Sequence, residues 1–180
     1  MQEIDLVRKC QQGDKKAQEA LFTLYGNYMF RICFRYIKSQ ADSEDVMISG
    51  FTKIYQHVST FRYEGAGSLN GWMKRIMINE SLMWLRRRHN FHLTETLDET
   101  TPEPSMDQFS QLEAEDIYRF ITELPTGYRT VFNLSVVEGY SHQEIAESLK
   151  ITESTSRSQL FKAKALLKKL LTQEGFHYGT

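Results

Sequence analysis

Cysteine and proline are scarce in this chain, and long apolar runs are missing. Cys10 and Cys33 are its only cysteines, too few for a disulfide framework or a zinc site. Both read as small apolar helix residues in a reducing cytoplasm. Three prolines and ten glycines in 180 residues leave room for long uninterrupted helices. No stretch approaches the roughly 20 apolar residues of a membrane span. The opening MQEIDLVRKCQQGDKK lacks the apolar core of a signal peptide. His57, His89, His92, His142 and His177 do not pair with cysteine or with one another at ligand spacing, and His89-x-x-His92 is read as incidental. No glycine-rich phosphate loop or nucleophile elbow is present, and Glu80 and Asp116 read as lone carboxylates on polar faces. The expectation is a cytoplasmic protein with no catalytic residues, no metal, no cofactor, no small-molecule substrate and no membrane insertion.

What is present is an uneven distribution of charge. The overall net charge is only -1. Residues 1–90 carry 14 Lys/Arg against 9 Asp/Glu; residues 91–116 carry no Lys/Arg and 8 Asp/Glu; residues 117–180 carry 8 against 6. Two mildly basic blocks therefore flank an acidic strip. A polyanion such as nucleic acid responds to that local field and not to the isoelectric point.

Helical periodicity fills both basic blocks, and no strand-like alternation or fixed repeat appears. Gly13-Asp14 opens a long helix whose apolar positions are Ala17, Ala20, Leu21, Leu24, Tyr25, Tyr28, Ile32, Cys33 and Tyr36. A second helix is expected from Asp42, capped by that residue with Asp45 in the capping-box place, burying Val46, Gly50, Phe51, Ile54, Tyr55 and Val58. A third runs from Ser68 or Asn70 to about Arg88 over Leu69, Trp72, Met73, Ile76 and Met83, after the loop FRYEGAGSLN. Periodicity then stops: HLTETLDETTPEPSMDQ holds two of the three prolines and repeated acids, a linker composition. Helices resume over about Glu113–Leu124 and Tyr128–Glu138, separated by Pro125-Thr126-Gly127. The fold class is all-α: two small helical domains, 1–90 and 113–180, joined by an acidic flexible linker, 91–112.

The segment SHQEIAESLKITESTSRSQLFKAKALLKKLL reads as a helix-turn-helix. Ser141 caps its first helix with Glu144 as box partner, and Ile145, Ala146 and Leu149 face inward. Lys150-Ile151-Thr152 is a short turn, and a second helix starts at Thr152 or Glu153 over Leu160, Ala163, Leu166 and Leu167. In such a motif the start of the second helix enters the major groove. Here that start presents Ser154, Thr155, Arg157 and Ser158, then Phe161 and Lys162, with Lys164, Lys168 and Lys169 beyond. Small hydroxyl residues permit close approach, and Arg157 can reach a guanine edge or a phosphate.

This stretch, with Leu124-Pro125, Tyr128-Arg129-Thr130-Val131-Phe132 and Gly139-Tyr140-Ser141 before it, resembles the fourth conserved region of extracytoplasmic-function (ECF) sigma factors. ALFTLYGNYMFRICFRYI, DSEDVMISGFTKIYQHVSTF and SLNGWMKRIMINESLMWLRRR resemble the second conserved region in the same order. The resemblance covers roughly residues 5–90 and 117–172. It implies a protein that binds core RNA polymerase and directs promoter recognition and transcription initiation. Region 4 would read the -35 element, and region 2 would bind the polymerase clamp, melt the -10 element and capture an unstacked base.

By the same resemblance, Phe61, Arg62, Tyr63, Asn70, Lys74, Arg75, Asn79, Arg86 and Arg87 would serve the -10 element and melting, the Tyr63–Asn70 loop shaping the pocket for a flipped base. The chemistry suits that role, since unpaired bases need stacking partners and the backbone needs positive charge. Trp72 reads as core and not as a melting wedge; Arg86, Arg87 and Arg88 favour phosphate contact over capping their own helix. Asp45, Ile48, Ser49, Thr52 and Lys53 would meet the polymerase. Many relatives carry glutamine-glutamate where this chain has Ile48-Ser49, which makes that contact more apolar here. Ser156 likewise stands where a small aliphatic residue is common. Promoter DNA, duplex and melted, is the expected nucleic-acid partner. An anti-sigma factor, free or membrane-anchored, is the expected regulator, because only TQEGFHYGT follows Leu171. The other reading is a stand-alone helix-turn-helix regulator with an N-terminal sensor domain.

Overall fold

The computed structural model describes residues 2–91 and 114–175. From residue 92 to residue 112, the expected acidic linker lies outside the described residues. Among those described there are eight α-helices and no strand. The chain divides after Leu85 into two compact units, each treated by itself.

The first unit holds α1 (Glu3–Gln11), α2 (Lys15–Ile37), α3 (Gln40–His57) with a 3-10 turn over Val58–Thr60, and most of α4 (Ser68–Arg88). Asp14 starts α2 as expected, its Oδ1 accepting from the amides of Lys16 at 2.8 Å and Ala17 at 3.3 Å. The start of α3 differs. Lys38 ends α2 in the left-handed region at φ 66°, the chain becomes extended at Ser39, and Ser39 accepts from the Asp42 amide at 3.4 Å. Asp42 is already inside the helix and cannot be its cap.

The buried faces are also shifted from the expected stripes. In α2 the enclosed set is Ala17, Leu21, Met29, Ile32, Cys33, Tyr36 and Ile37, whereas Leu24 is 66% and Tyr28 46% exposed. In α4, Trp72, Ile76 and Met83 are half-buried. The enclosed residues form two rows: Leu69, Met73, Met77 and Ser81 on one, Ile78, Leu82 and Leu85 on the other. A helix covered on two sides has no single apolar stripe to display, which is why the pattern misled. Glu80, expected on a polar face, is 9% exposed and forms an ion pair with Lys53 of α3. Both cysteines are buried and free, and burial pushes the Cys33 thiol up to about 12.

The second unit builds α5 (Ala114–Glu123), α6 (Thr126–Phe132), a π-helical turn over Asn133–Val137, α7 (His142–Leu149) and α8 (Glu153–Gln173). Its core is Phe120, Ile121, Leu124, Val131, Phe132, Leu134, Ile145, Leu149, Leu160, Ala163, Leu167 and Leu171. Leu166, expected in the stripe, is half-buried. Where one helix was expected from Tyr128 to Glu138, α6 begins at Thr126 on the Pro125 carbonyl, and its last turn widens so that Glu138 N–H reaches Asn133 O at 2.9 Å. Arg129 is 4% exposed and donates from Nη1 to Leu124 O at 2.7 Å, tying α6 back to the end of α5.

In the first unit Met77 of α4 reaches across to α3: a Cβ on Gly50 would stand 2.3 Å from its Sδ and 2.8 Å from its Cε. On Gly26 a Cβ would meet only the Phe22 ring, at 3.6 Å. The two substitutions should therefore differ in sign. Gly50→Ala overpacks a closed core and is expected to destabilise by about 1–2 kcal/mol after the helix-propensity gain. Gly26→Ala should stabilise by about 0.5–1 kcal/mol. Urea unfolding followed by tryptophan fluorescence reads this unit, because Trp72 and Trp84, the only tryptophans, both lie in it.

Candidate nucleic-acid interface

The helix-turn-helix is assembled from α7 and α8. Ser141 and Glu144 complete a reciprocal capping box: the Glu144 amide donates to Ser141 Oγ at 3.2 Å, and the Ser141 amide donates to Glu144 Oε2 at 2.8 Å. The Ser141 amide and hydroxyl, both donating to its carboxylate, hold the Glu144 carboxyl below its usual range. Lys150 turns the chain at φ 56°, and Ile151 N–H closes onto Ala146 O at 3.0 Å. Thr152 then caps α8, accepting from the Thr155 amide at 3.0 Å. The turn is short because each end is fixed by its own cap.

On α8, Ser154 and Arg157 are exposed, and Thr155, Phe161 and Lys162 are half-buried. Ser154, Arg157 and Phe161 follow one another at three- and four-residue spacing and so share one outward face. Ser158, expected to reach DNA, is only 6% exposed, because α8 is enclosed across Ser156, Ser158, Gln159 and Leu160. Ser156 has a specific reason to be polar. Its hydroxyl lies 2.8 Å from His142 Nδ1 and links the start of α7 to α8. Arg157 Nη2 is held 2.9 Å from Glu153 Oε2, with both side chains about half exposed. A pair of that kind is worth only about 0.3–0.5 kcal/mol, so it restrains the guanidinium yet releases it cheaply.

In the first unit, the loop from Phe61 to Gly67 leads into α4. Phe61 stacks on Trp72 with centroids 4.8 Å apart and planes at 29°. The loop turns through Gly65 at φ 108° and Gly67 at φ 85°, and Ser68 Oγ donates to Gly65 O at 2.7 Å. Arg62 is exposed and Tyr63 half-buried. Desolvation, with the Glu3 carboxylate of α1 nearby, pushes the Tyr63 phenol above its usual range. Asn70, in the first turn of α4, keeps its Oδ1 buried without a hydrogen-bond partner among the described residues. Arg75 and Asn79 lie exposed on α4, and Lys74 is half-buried beside them. Arg86 and Arg87 are exposed in its last turn.

A separate surface lies along α3. Asp45, Ile48, Ser49 and Thr52 are all exposed at helical spacing on one face, Ile48 at 56%. Lys53 turns away from that face into its pair with Glu80. Beside Ile48 runs an apolar groove between α2 and α3, lined by Phe22, Gly26, Phe30 and Met47. Phe22 and Leu24 are 41% and 66% exposed, large apolar area left uncovered within this unit. Among the described residues no group of three His, Cys, Asp or Glu is placed to hold a metal ion, and no helix is long and apolar enough to cross a membrane.

Sequence reasoning put Cys10 in a helix but gave that helix, α1, no bounds and no role. Its Gln11 Nε2 donates to Val58 O at 3.1 Å and to Phe61 O at 2.9 Å. Glu3 Oε1 accepts from the Tyr25 hydroxyl at 2.8 Å. Leu6, Val7 and Cys10, within one helical turn, were the only sign of this helix.

Two family descriptions match the chain: Sigma-70 region 2 over residues 21–91 and Sigma-70 region 4 over residues 114–167. The ECF RNA polymerase sigma-E factor of Haemophilus influenzae is 33% identical over 177 residues, covering 90% of this chain and 91% of that one. The RNA polymerase sigma-H factor of Pseudomonas aeruginosa is 28% identical over 185 residues, covering 94% of each. The fold is similar to that of CnrH, solved in complex with the cytosolic domain of CnrY, at TM-score 0.50 and 20% identity over 94% of this chain and 96% of that one. With both regions present in order and a relative of this identity along nearly its whole length, the chain belongs to the ECF sigma factors of RNA polymerase.

Proposed function

We propose that this sigma factor divides its work between three surfaces: α8 reads the upstream promoter element as duplex, the Phe61–Asn70 segment with α4 opens and holds the downstream element, and the α3 face binds core polymerase. The observation that carries the reading is the pairing of a capped, outward-facing reading helix in one unit with an aromatic and basic loop in the other. Duplex reading needs the first, and holding an unpaired strand needs the second. Phe61, Trp72 and Tyr63 supply ring faces, and Arg62, Lys74 and Arg75 supply charge for the backbone. The buried Oδ1 of Asn70 is an acceptor that a base amine would satisfy. Arg86 and Arg87 would add phosphate contacts. The chain supplies address and melting; the chemistry belongs to the polymerase, so the place of action is the cytoplasm.

On α3, Ile48 and the adjoining groove of Phe22, Gly26, Phe30 and Met47 form an apolar centre rimmed by Asp45, Ser49 and Thr52, the layout of a protein contact. Lys53 contributes by holding Glu80 and not as a direct contact. A regulatory protein that covers these exposed apolar positions would be the natural inhibitor, and CnrH, captured with the cytosolic domain of CnrY, offers a parallel. The stand-alone regulator is not favoured, because its N-terminal part would be a sensor and not Sigma-70 region 2.

Transcription from pooled genomic fragments with purified core polymerase tests the whole reading. Defined starts sharing two upstream elements are expected, and their absence despite binding to core would contradict promoter melting by this chain. Ile48→Asp should weaken core binding by about 1–3 kcal/mol, roughly 5- to 150-fold, as removal of a central apolar anchor does. Unfolding should shift by less than about 0.5 kcal/mol, since the residue is exposed. Arg157→Ala should cost the holoenzyme about 1–3 kcal/mol on its own upstream element. If Arg157 reads a base, the loss is confined to one position of that element; if it holds phosphate, all sequences weaken alike and the salt dependence flattens.

A further inference from the structure

Glu3 and Gln11 stand at opposite ends of α1, on a helix that contributes nothing to the reading or polymerase surfaces described above. Yet Gln11 reaches the segment that enters α4, and Glu3 anchors α1 to α2. The Gln11 amide donates to two carbonyls, Val58 O at 3.1 Å and Phe61 O at 2.9 Å, far along the sequence. These carbonyls bracket the 3-10 turn and the first loop residue. At the other end, the Glu3 carboxylate accepts from the Tyr25 hydroxyl of α2 at 2.8 Å and so seats α1 against the body of the unit. Leu6, Val7 and Cys10 bury the inner side of α1 at 2% exposure each, so the helix is a fixed support.

The loop needs such a support. Between Phe61 and Gly67 it carries two glycines at positive φ, and its own backbone offers few hydrogen bonds. A segment of that composition samples many conformations unless it is held, and each must be given up when a ligand binds. Among the described residues it is restrained by the Phe61–Trp72 stack, by the Ser68 bonds to Gly65 and Glu64, and by the Gln11 amide of α1. The first two fix where the loop joins α4. The Gln11 bonds fix where it leaves α3.

We infer that α1 is a strap that pre-forms the promoter-melting loop, with Gln11 and Glu3 as positioning residues for strand capture. This inference rests on the reading of the loop as the binder of unpaired DNA. The strap acts on the ordering of the loop, so it governs promoter opening and leaves polymerase affinity and duplex reading alone.

The test uses the full chain with core polymerase on a promoter mapped with the wild-type protein. Gln11→Glu keeps the shape of the side chain, removes both N–H donors and sets a carboxylate oxygen against the two carbonyls. Glu3→Leu removes the tie that seats α1 on Tyr25 of α2, and Glu3→Gln keeps an acceptor oxygen for that hydroxyl. Three quantities are read: affinity for core, affinity of the holoenzyme for a duplex upstream element, and permanganate reactivity of unpaired thymines. Gln11→Glu and Glu3→Leu should each cut opening by about tenfold while both affinities stay within about twofold, and Glu3→Gln should restore most of the opening. Opening that stays at wild-type level in both variants, or falls only in step with core affinity, overturns the strap. Arg62→Ala with Lys74→Ala is the companion variant. If it lowers opening while the α1 variants do not, the strap alone is wrong. If neither set lowers opening, the assignment of the loop to unpaired DNA is wrong as well.

Discussion

The first unit depends on α4 being covered from two sides. Met77 lies against α3, where the missing side chain of Gly50 leaves room for its thioether. Leu69, Met73 and Ser81 continue that row, and Ile78, Leu82 and Leu85 close the second. Burial of this kind is worth about 1.5–3 kcal/mol for each large apolar side chain, which far exceeds a surface ion pair. A helix clamped so firmly can carry demanding groups on its remaining sides. Its start anchors the glycine-bearing loop through Ser68, and its outer face presents Lys74, Arg75 and Asn79. The same helix buries Glu80, a charge that is tolerable only because Lys53 meets it.

In the second unit the equivalent constraint is capping. Three local hydrogen bonds, two from the Ser141–Glu144 box and one from Thr152, place α7 and α8 before any tertiary contact is counted. Arg129, buried and donating to Leu124 O, ties α6 to the end of α5. The reading face is then a thin strip, Ser154, Arg157 and Phe161, because the rest of that part of α8 is enclosed. Narrowness favours discrimination: few side chains reach the groove, so each carries a larger share of the sequence preference. The exposed apolar positions of the first unit follow the opposite logic, with broad area and little polar definition, as suits a protein partner.

Much of this was legible in the sequence. Asp14, Ser68, Ser141 and Thr152 are short polar residues placed where a helix begins, and each caps or starts one. The helix-turn-helix and the loop before α4 were visible in residue type and spacing alone. What misled was burial on more than one side. Periodicity for α4 selected Trp72, Ile76 and Met83, yet the doubly covered helix encloses Met77, Ile78 and Leu82. For α2 it counted Leu24 and Tyr28 as core, because an apolar residue awaiting a partner looks the same as one packed at home. Ser158 was misjudged for a related reason: a serine carries no mark of which side of a helix is enclosed. The roles of Gln11 and Glu3 were invisible, since their partners are backbone carbonyls and a tyrosine far along the chain.

Taken together, these surfaces describe a chain that reads and opens DNA as part of a holoenzyme and not on its own. Fluorescence anisotropy of a labelled promoter duplex, titrated with the chain in the presence and absence of core polymerase, tests this most directly. Weak, salt-sensitive binding is expected from the chain alone, and tight, sequence-dependent binding once core is added. Tight sequence-specific binding without core, unchanged by its addition, would contradict it.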